Sequence, residues 1–371
     1  MAADAQDGRA GARRLGAVAL LAAVLGVAFG GGVSFLAYRQ LASPGSAPLP
    51  IRTSGGGGGS QSVSLSSVVA AVAPSVVVVV RQQRGGGVPT AADASDGFVA
   101  SSQGLIVTSE GAVAGAAGVE VVLANGDVLP ATIASSDPYT GVVLLQVSSP
   151  ALPAPLSFGS APALGSTAIA ISLALGGSAS VDVGTVSELG LTAEVADPAA
   201  PSGSALVDGM MRTDVPAPQG SSGAPLVDAS GQVVGILNGE RMAPSGQGSG
   251  YFALDASEAA YLVTAITTNG SGPQPLGMVS QYLTPATAAA LQLASGAEIL
   301  VVDPGSAAAA AGLKAGDVVV SADGSQVLGA GAPRFPALAD LLTSFGPGAK
   351  VTLVVQRNGA RRTLTLSVPV A

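Results

Sequence analysis

The sequence predicts a mainly β protein: two closed antiparallel barrels, a smaller α+β module after them, and one membrane-length apolar helix ahead of both. Three observations lead there. Hydrophobic residues make up 48% of the 371 residues, yet aromatics are only 3% and glycines number 52, a pattern of small side chains, close packing and frequent turns. Short Val/Ile/Leu-rich runs repeat between Gly, Pro, Ser and Asp. The composition also changes at two Gly-rich joints, one ahead of residue 62 and one near residue 270, and such joints divide chains into domains.

The segment 15–37 runs 23 residues without a charge, enough to cross a hydrocarbon core of about 30 Å as a helix. Arg9, Arg13 and Arg14 precede it and Arg39 follows. The positive-inside bias then keeps a short tail, residues 1–14, cytoplasmic and sends the rest outside. A cleaved signal peptide is the competing reading, but the run is long for one and no clear cleavage site follows. Residues 38–62, with a Pro-rich start and five consecutive glycines, read as a flexible tether.

Residues 63–268 hold the strand runs, among them "SVVVVVRQ", "DGFVASSQGLIVTS", "GVVLLQVS", "STAIAISLA" and "GAPLVDASGQVVGILNG". Hairpin turns are marked by "ANGD" at Ala124 to Asp127 and "DASG" at Asp228 to Gly231. That many short strands argue for closed antiparallel barrels, with no helix longer than a few turns required inside. Beyond the joint, residues 272–371 read as a separate module. "AGLKAGD" closes a short helix on glycine. Phe335, Leu338, Leu341 and Leu342 mark one side of a second helix, and Asn358 and Gly359 turn a terminal hairpin.

Charge and composition exclude several functions. A net charge of -8 repels phosphate backbones, so nucleic acid is not an expected partner. With no cysteine and no histidine, disulfides, thiol catalysis and the commonest zinc sets are absent, and neither metal nor cofactor is expected.

The ordered segments "DGFVASSQGLIVTS", "DPYTGVVLLQV", "VDVGTVSELG", "MRTDVPAPQGSSGAPLVDASGQVVGILNG", "PLGM" and "GSAAAAAGLKAGDVVVSADG" resemble the HtrA-like family of membrane-anchored or secreted serine proteases. The resemblance implies a trypsin-like double barrel followed by a PDZ domain. It places Ser222 at the nucleophile and the backbone N–H groups of Gly220 and Ser222 at the oxyanion hole. It also places Gly111 where the family has its histidine base and Gly141 where it has the orienting aspartate. Ala224 stands where glycine is usual, which puts the geometry of the serine turn in question.

A serine hydroxyl needs a neighbour to accept its proton. Glu110 is adjacent to the vacant position, but along a strand it would point to the opposite face. Lys314 and Lys350 both belong to the second module. The sequence therefore predicts a catalytically impaired, protease-like scaffold, sensor or chaperone for peptides or unfolded segments. Two alternatives stay open: an active endopeptidase of protein quality control with a non-standard base, and a structural subunit in a homotrimer or with an active relative. In the module, the resemblance implies capture of a peptide's C-terminal carboxylate by the loop of Leu276, Gly277 and Met278, with Leu342 on the helical wall of the groove. Leu276 and Met278 read equally well as core residues.

Overall fold

The computed structural model describes residues 64–83, 90–173, 179–196, 204–218, 220–238, 251–270, 272, 275–283, 285–327 and 338–370. The apolar run 15–37 and Phe335 lie outside the described residues. No described helix is long and apolar enough to cross a membrane.

A helix α1 (Leu65–Val72) capped by Ser64 leads into the first barrel. That barrel comprises β1 (Val76–Gln82), β2 (Ala94–Val99), β3 (Leu105–Ser109), β4 (Gly118–Val122), β5 (Val128–Asp137) and β6 (Val142–Val147). They close in the order β1-β2-β3-β6-β5-β4, the seam being β1 against β4. The second barrel comprises β7 (Thr167–Leu173), β8 (Ala179–Ala196), β9 (Ser204–Thr213), β10 (Pro225–Val227), β11 (Val233–Asn238) and β12 (Tyr251–Asp255). It closes in the order β10-β11-β12-β9-β8-β7. Both marked hairpins form, joining β4 to β5 and β10 to β11. The apolar alternation explains the closure: Val77, Val79, Val121, Val143 and Leu145 fill the first barrel, while Val76, Val78, Phe98 and Val107 face β7 and β12. The cores of the barrels are thus joined through a shared apolar interface.

Two helices depart from the sequence expectation. Glu110 and Gly111 are not on a strand but in a one-turn helix, α2 (Glu110–Val113). The second barrel ends in a fourteen-residue helix, α3 (Ala256–Asn269), capped by the Asp255 carboxylate and closed on Gly270 at φ 80°. Ala259, Leu262, Val263 and Ile266 pack it onto the barrel core.

The C-terminal module is a sheet of β13 (Met278–Leu283), β14 (Gly296–Val302), β15 (Val318–Ala322), β17 (Lys350–Arg357) and β18 (Ala360–Ser367), with β16 (Ser325–Gln326) paired to β15. Three helices accompany it: α4 (Pro285–Leu291), α5 (Ala307–Ala310) and α6 (Leu338–Thr343). The terminal hairpin turns at Asn358 and Gly359 at φ 50° and 75°, as such a turn requires. Arg357 is clamped on the buried Asp317 through Nε and Nη2, at 2.5 and 2.6 Å. The sheet runs β13-β14-β15-β17-β18, leaving β13 at its edge.

Phe98 is fully buried where the two barrels meet and packs edge-on against Phe158, ring centroids 6.1 Å apart. Phe98→Ala is expected to lower unfolding stability by about 3–5 kcal/mol, measured by denaturant titration. A loss under about 1 kcal/mol would mean that the interface is not well packed.

Candidate functional site

Ser222 sits in the turn that enters β10, at the junction of the two barrels. One backbone contact holds this turn against β2, Asp96 N donating to Ser222 O at 2.8 Å, and another holds it against β11, Gly223 N donating to Leu237 O at 2.7 Å. Gly223 has a φ of 90°, and a β-carbon there would lie 2.0 Å from Asp96 O. Only glycine fits that approach. Thr108 Oγ1 donates to the same Asp96 carbonyl at 2.7 Å, so the turn, β2 and β3 converge on one point. Ala224 is fully buried and is not among the residues of positive φ, and its N–H closes the turn on Ser221 O at 3.0 Å. The doubt that its side chain raises about the turn is thereby answered: the backbone there needs no glycine.

The structure brings Gly111 to this serine and joins Gly141 to the neighbouring Glu110. A β-carbon on Gly111 would point at Ser222 Oγ, 3.8 Å away, with no other described atom beyond its chain neighbours within 4 Å. Gly111 is exposed, so the position of the missing base is open. Gly141 is buried at φ 71°, its carbonyl accepting from Glu110 N at 2.8 Å. A β-carbon on Gly141 would meet Leu254 and Val207 side chains at 3.6 and 3.7 Å. Glu110 lies in a helix rather than a strand, and its Oε2 accepts from Ser136 Oγ at 2.8 Å. What touches Ser222 is Ser109, the two hydroxyl oxygens 2.7 Å apart. A second hydroxyl at that distance shares a hydrogen bond but is no base near neutral pH.

Gly220 has a φ of 91°. Among the described residues, neither Gly220 N nor Ser222 N donates a hydrogen bond, which leaves both amides available to an incoming carbonyl or carboxylate oxygen. Among the described residues, the hydrogen-bond partner of the Ser222 hydroxyl is that of Ser109. Groups of Asp, Glu, His or Cys arranged to hold a metal are absent among the described residues.

Asp96 escapes the sequence reading. It is the one carboxylate on β2, the strand against which the serine turn packs, buried between the barrels with Oδ1 accepting from Leu173 N at 3.1 Å. Burial pushes its carboxyl up to about 8, against the lowering effect of hydrogen bonds from Leu173 and Ser172. The available signal was its place in "ASDGFV", where Ala94, Asp96 and Phe98 alternate onto one buried face.

In the C-terminal module, Gly277 lies at φ 74° with Ser306 so close that a β-carbon would stand 2.2 Å from it. Leu276, Met278 and Leu342 are all buried in the module's core. Leu276 additionally borders a small gap with Ala339 and Thr343; the positions of Met278 and Leu342 accord with the core alternative.

A family model for the trypsin-like peptidase domain matches residues 95–236, and one for the PDZ domain matches residues 276–368. The chain is 33% identical over 278 residues to the "Probable periplasmic serine endoprotease DegP-like" of Halomonas elongata, covering 73% of this chain and 55% of that protein. Its identity to the protein of the same name from Bartonella henselae is 30% over 277 residues, covering 73% of this chain and 52% of the relative. The chain thus spans about half the length of the curated relatives it matches. Among solved structures, "HtrA-type protease AlgW with tripeptide" aligns at a TM-score of 0.56 with 27% identity, over 82% of this chain and 97% of the other. "HtrA-type protease AlgW with decapeptide" aligns at 0.55 with 25% identity, over 83% and 99%.

Two predictions follow from this geometry. Gly111→His with Gly141→Asp is expected to leave casein cleavage far below that of an active relative. An aspartate at Gly141 would take a left-handed backbone among Leu254 and Val207, at a strain of about 1–3 kcal/mol, and a histidine without its carboxylate loses about four orders of magnitude in turnover. Turnover near that of a relative would overturn this. The second concerns pH. The Asp96 carboxyl lies above its ordinary value of 3.8 in the fold, so the native state holds a proton that the unfolded chain releases, and stability falls as pH rises from about 4 to about 8. Asp96→Asn removes that loss. The stability of the variant relative to the parent should therefore rise across this window, read by denaturant titration at several pH values; a constant difference would show that Asp96 titrates normally.

Proposed function

The chain belongs to the HtrA-like family, a trypsin-like peptidase domain followed by a PDZ domain, and on that premise we propose that it is a peptide-binding member without peptidase turnover. The observation that carries the reading is Gly111: the side-chain direction that faces Ser222 Oγ holds no atom that could take its proton. An oxyanion hole with binding alone accelerates by roughly 10³-fold over water, negligible against the stability of a peptide bond.

Binding has more support than catalysis. The amides of Gly220 and Ser222 are backbone groups and do not depend on the missing side chains, and the module has the sheet edge to which a peptide would add as a strand. The titles of two similar structures name bound peptides. On this reading the ligands are peptides or unfolded segments, recognised through C-terminal carboxylates, and the protein acts as scaffold, sensor or chaperone. Residues 15–37 would anchor it, with the tail 1–14 inside, 38–62 as tether, and 63–268 and 272–371 as its two extracytoplasmic domains. The periplasmic naming of its relatives supports that placement.

The test uses the full chain in detergent, with Ser222→Ala beside it. Neither protein is expected to cleave casein or to take up a fluorophosphonate probe, while both retain labelled peptides with free C-termini in preference to amidated ones, at micromolar affinity or about -8 kcal/mol. Serine-dependent casein cleavage, lost in the alanine variant, would favour the active-endopeptidase alternative instead. Equal binding of free and amidated peptides would refute carboxylate capture.

A further inference from the structure

Gly111 is exposed and Ser222 half-buried, so the space between them opens to solvent. A β-carbon at Gly111 would stand 3.8 Å from Ser222 Oγ and meet no other described atom within 4 Å beyond its chain neighbours. The vacancy thus leaves the serine without a base and also leaves room for one that arrives from outside.

Such a base must accept a proton near neutral pH at hydrogen-bond distance from the hydroxyl. The chain has no histidine, and the carboxyls beside the turn are engaged elsewhere. Glu110 Oε2 accepts from Ser136 Oγ at 2.8 Å, and Asp96 Oδ1 accepts from Leu173 N at 3.1 Å. A peptide lying across the serine turn, however, brings its own side chains next to the bond it presents. Imidazole is the side chain whose ordinary pKa suits the task, and it is flat and small enough to enter an open gap one side chain wide.

We propose that the serine site is completed by its ligand: a bound peptide with a histidine beside the bond held at Ser222 sets its imidazole in the vacancy at Gly111 and is cleaved, whereas peptides without one are only bound. This rests on the reading of the chain as a peptide binder with no base of its own, and it names the peptide class that makes good the lack. Ser222 Oγ attacks the carbonyl carbon while the imidazole takes the hydroxyl proton. With that proton committed, Ser109, its oxygen 2.7 Å from Ser222 Oγ, donates to the attacking oxygen. The amides of Gly220 and Ser222 receive the negative charge on the former carbonyl oxygen. The C–N bond then breaks as the imidazolium returns its proton to the leaving amine, and an ester remains on Ser222. Where the histidine stays on the acyl fragment, the same imidazole takes a proton from water. That water adds to the ester, and the proton passes to Ser222 Oγ as the acid fragment leaves. Gly141 supplies no carboxylate to orient the imidazole, a loss of about four orders of magnitude in turnover. The reaction is therefore slow and selective, to be read on single peptides by mass spectrometry, not as bulk release from casein.

The full chain in detergent is incubated with labelled peptides of one sequence that carry a single histidine moved position by position, beside counterparts with glutamine in its place. Cleavage is expected only where the histidine stands at a fixed short distance from the cut, at least about a hundredfold faster than in the glutamine counterpart. Ser222→Ala is expected to abolish it. So is Gly111→Leu, which fills the vacancy at an exposed position outside the positive-φ set; both variants keep peptide binding. Free imidazole is expected to start cleavage of the glutamine peptides by the unaltered chain, a result that needs no substitution. Histidine peptides that bind and stay whole would overturn the completed site and leave peptide binding intact. Histidine-dependent cleavage that persists in folded Gly111→Leu would overturn the vacancy as the place of the imidazole. Equal Ser222-dependent cleavage of histidine and glutamine peptides would reveal a base within the chain, and no binding of any peptide would remove the ligand itself; either result overturns this proposal and the reading beneath it.

Discussion

The rest of the catalytic frame depends on one close approach, that of Gly223 to the carbonyl of Asp96. The turn carrying Ser222 belongs to the second barrel and β2 to the first, and no β-carbon fits between them. The hydrogen bond from Asp96 N to Ser222 O and the one from Thr108 to Asp96 O then fix where the serine stands relative to α2, and so relative to Gly111. All three are contacts to main-chain atoms of β2. They hold Ser222 and the turn that carries it in place beside Gly111 through the main chain of β2.

That dependence on backbone explains what could be read in the sequence. Strand runs bounded by turn residues, the two barrel hairpins and the Asn358-Gly359 turn follow from local chemistry, and each formed where local chemistry put it. The meeting of Ser222 and Gly111 spans more than a hundred residues and was legible only through the resemblance to a family. Helix α3 was missed although Ala259, Leu262, Val263 and Ile266 keep a helical spacing, because the barrel pattern before it did not call for a helix. Glu110 was read on a strand and lies in a one-turn helix, too short to show a helical period. Asp96 and Asp208 were missed because a single aspartate in a strand looks like a solvated residue until its neighbours across the interface are known.

Those two aspartates share a physical role. Each lies in a seam between parts of the fold, Asp96 between the barrels and Asp208 between the second barrel and the module, and each accepts from backbone N–H groups across its seam. Burial raises both carboxyls above their ordinary value. A buried carboxyl is tolerated only where donors surround it, so it penalises every arrangement of the two parts that removes them. Apolar contact alone permits sliding; a carboxyl with fixed donors specifies one register. At the module seam this same specificity fixes Ser280 against Asp208 and Thr192.

The pattern of loss and retention follows from where each property resides. The base position is exposed and its side-chain direction is empty apart from Ser222, so no packing is lost when a side chain there becomes glycine. At Gly141 the fold uses the main chain: its carbonyl accepts from Glu110 N, and its left-handed backbone, φ 71°, disfavours any side chain. Neither position constrains stability through a side chain, so catalysis can be lost without cost to the fold. The sheet edge, the amides of the serine turn and the glycines at 223 and 277 are different, since altering them would strain the backbone that closes the barrels or shapes the module. On the proposed reading, selection for folding alone would preserve the backbone elements suited to binding a peptide while leaving the side chains needed to cleave one free to vanish.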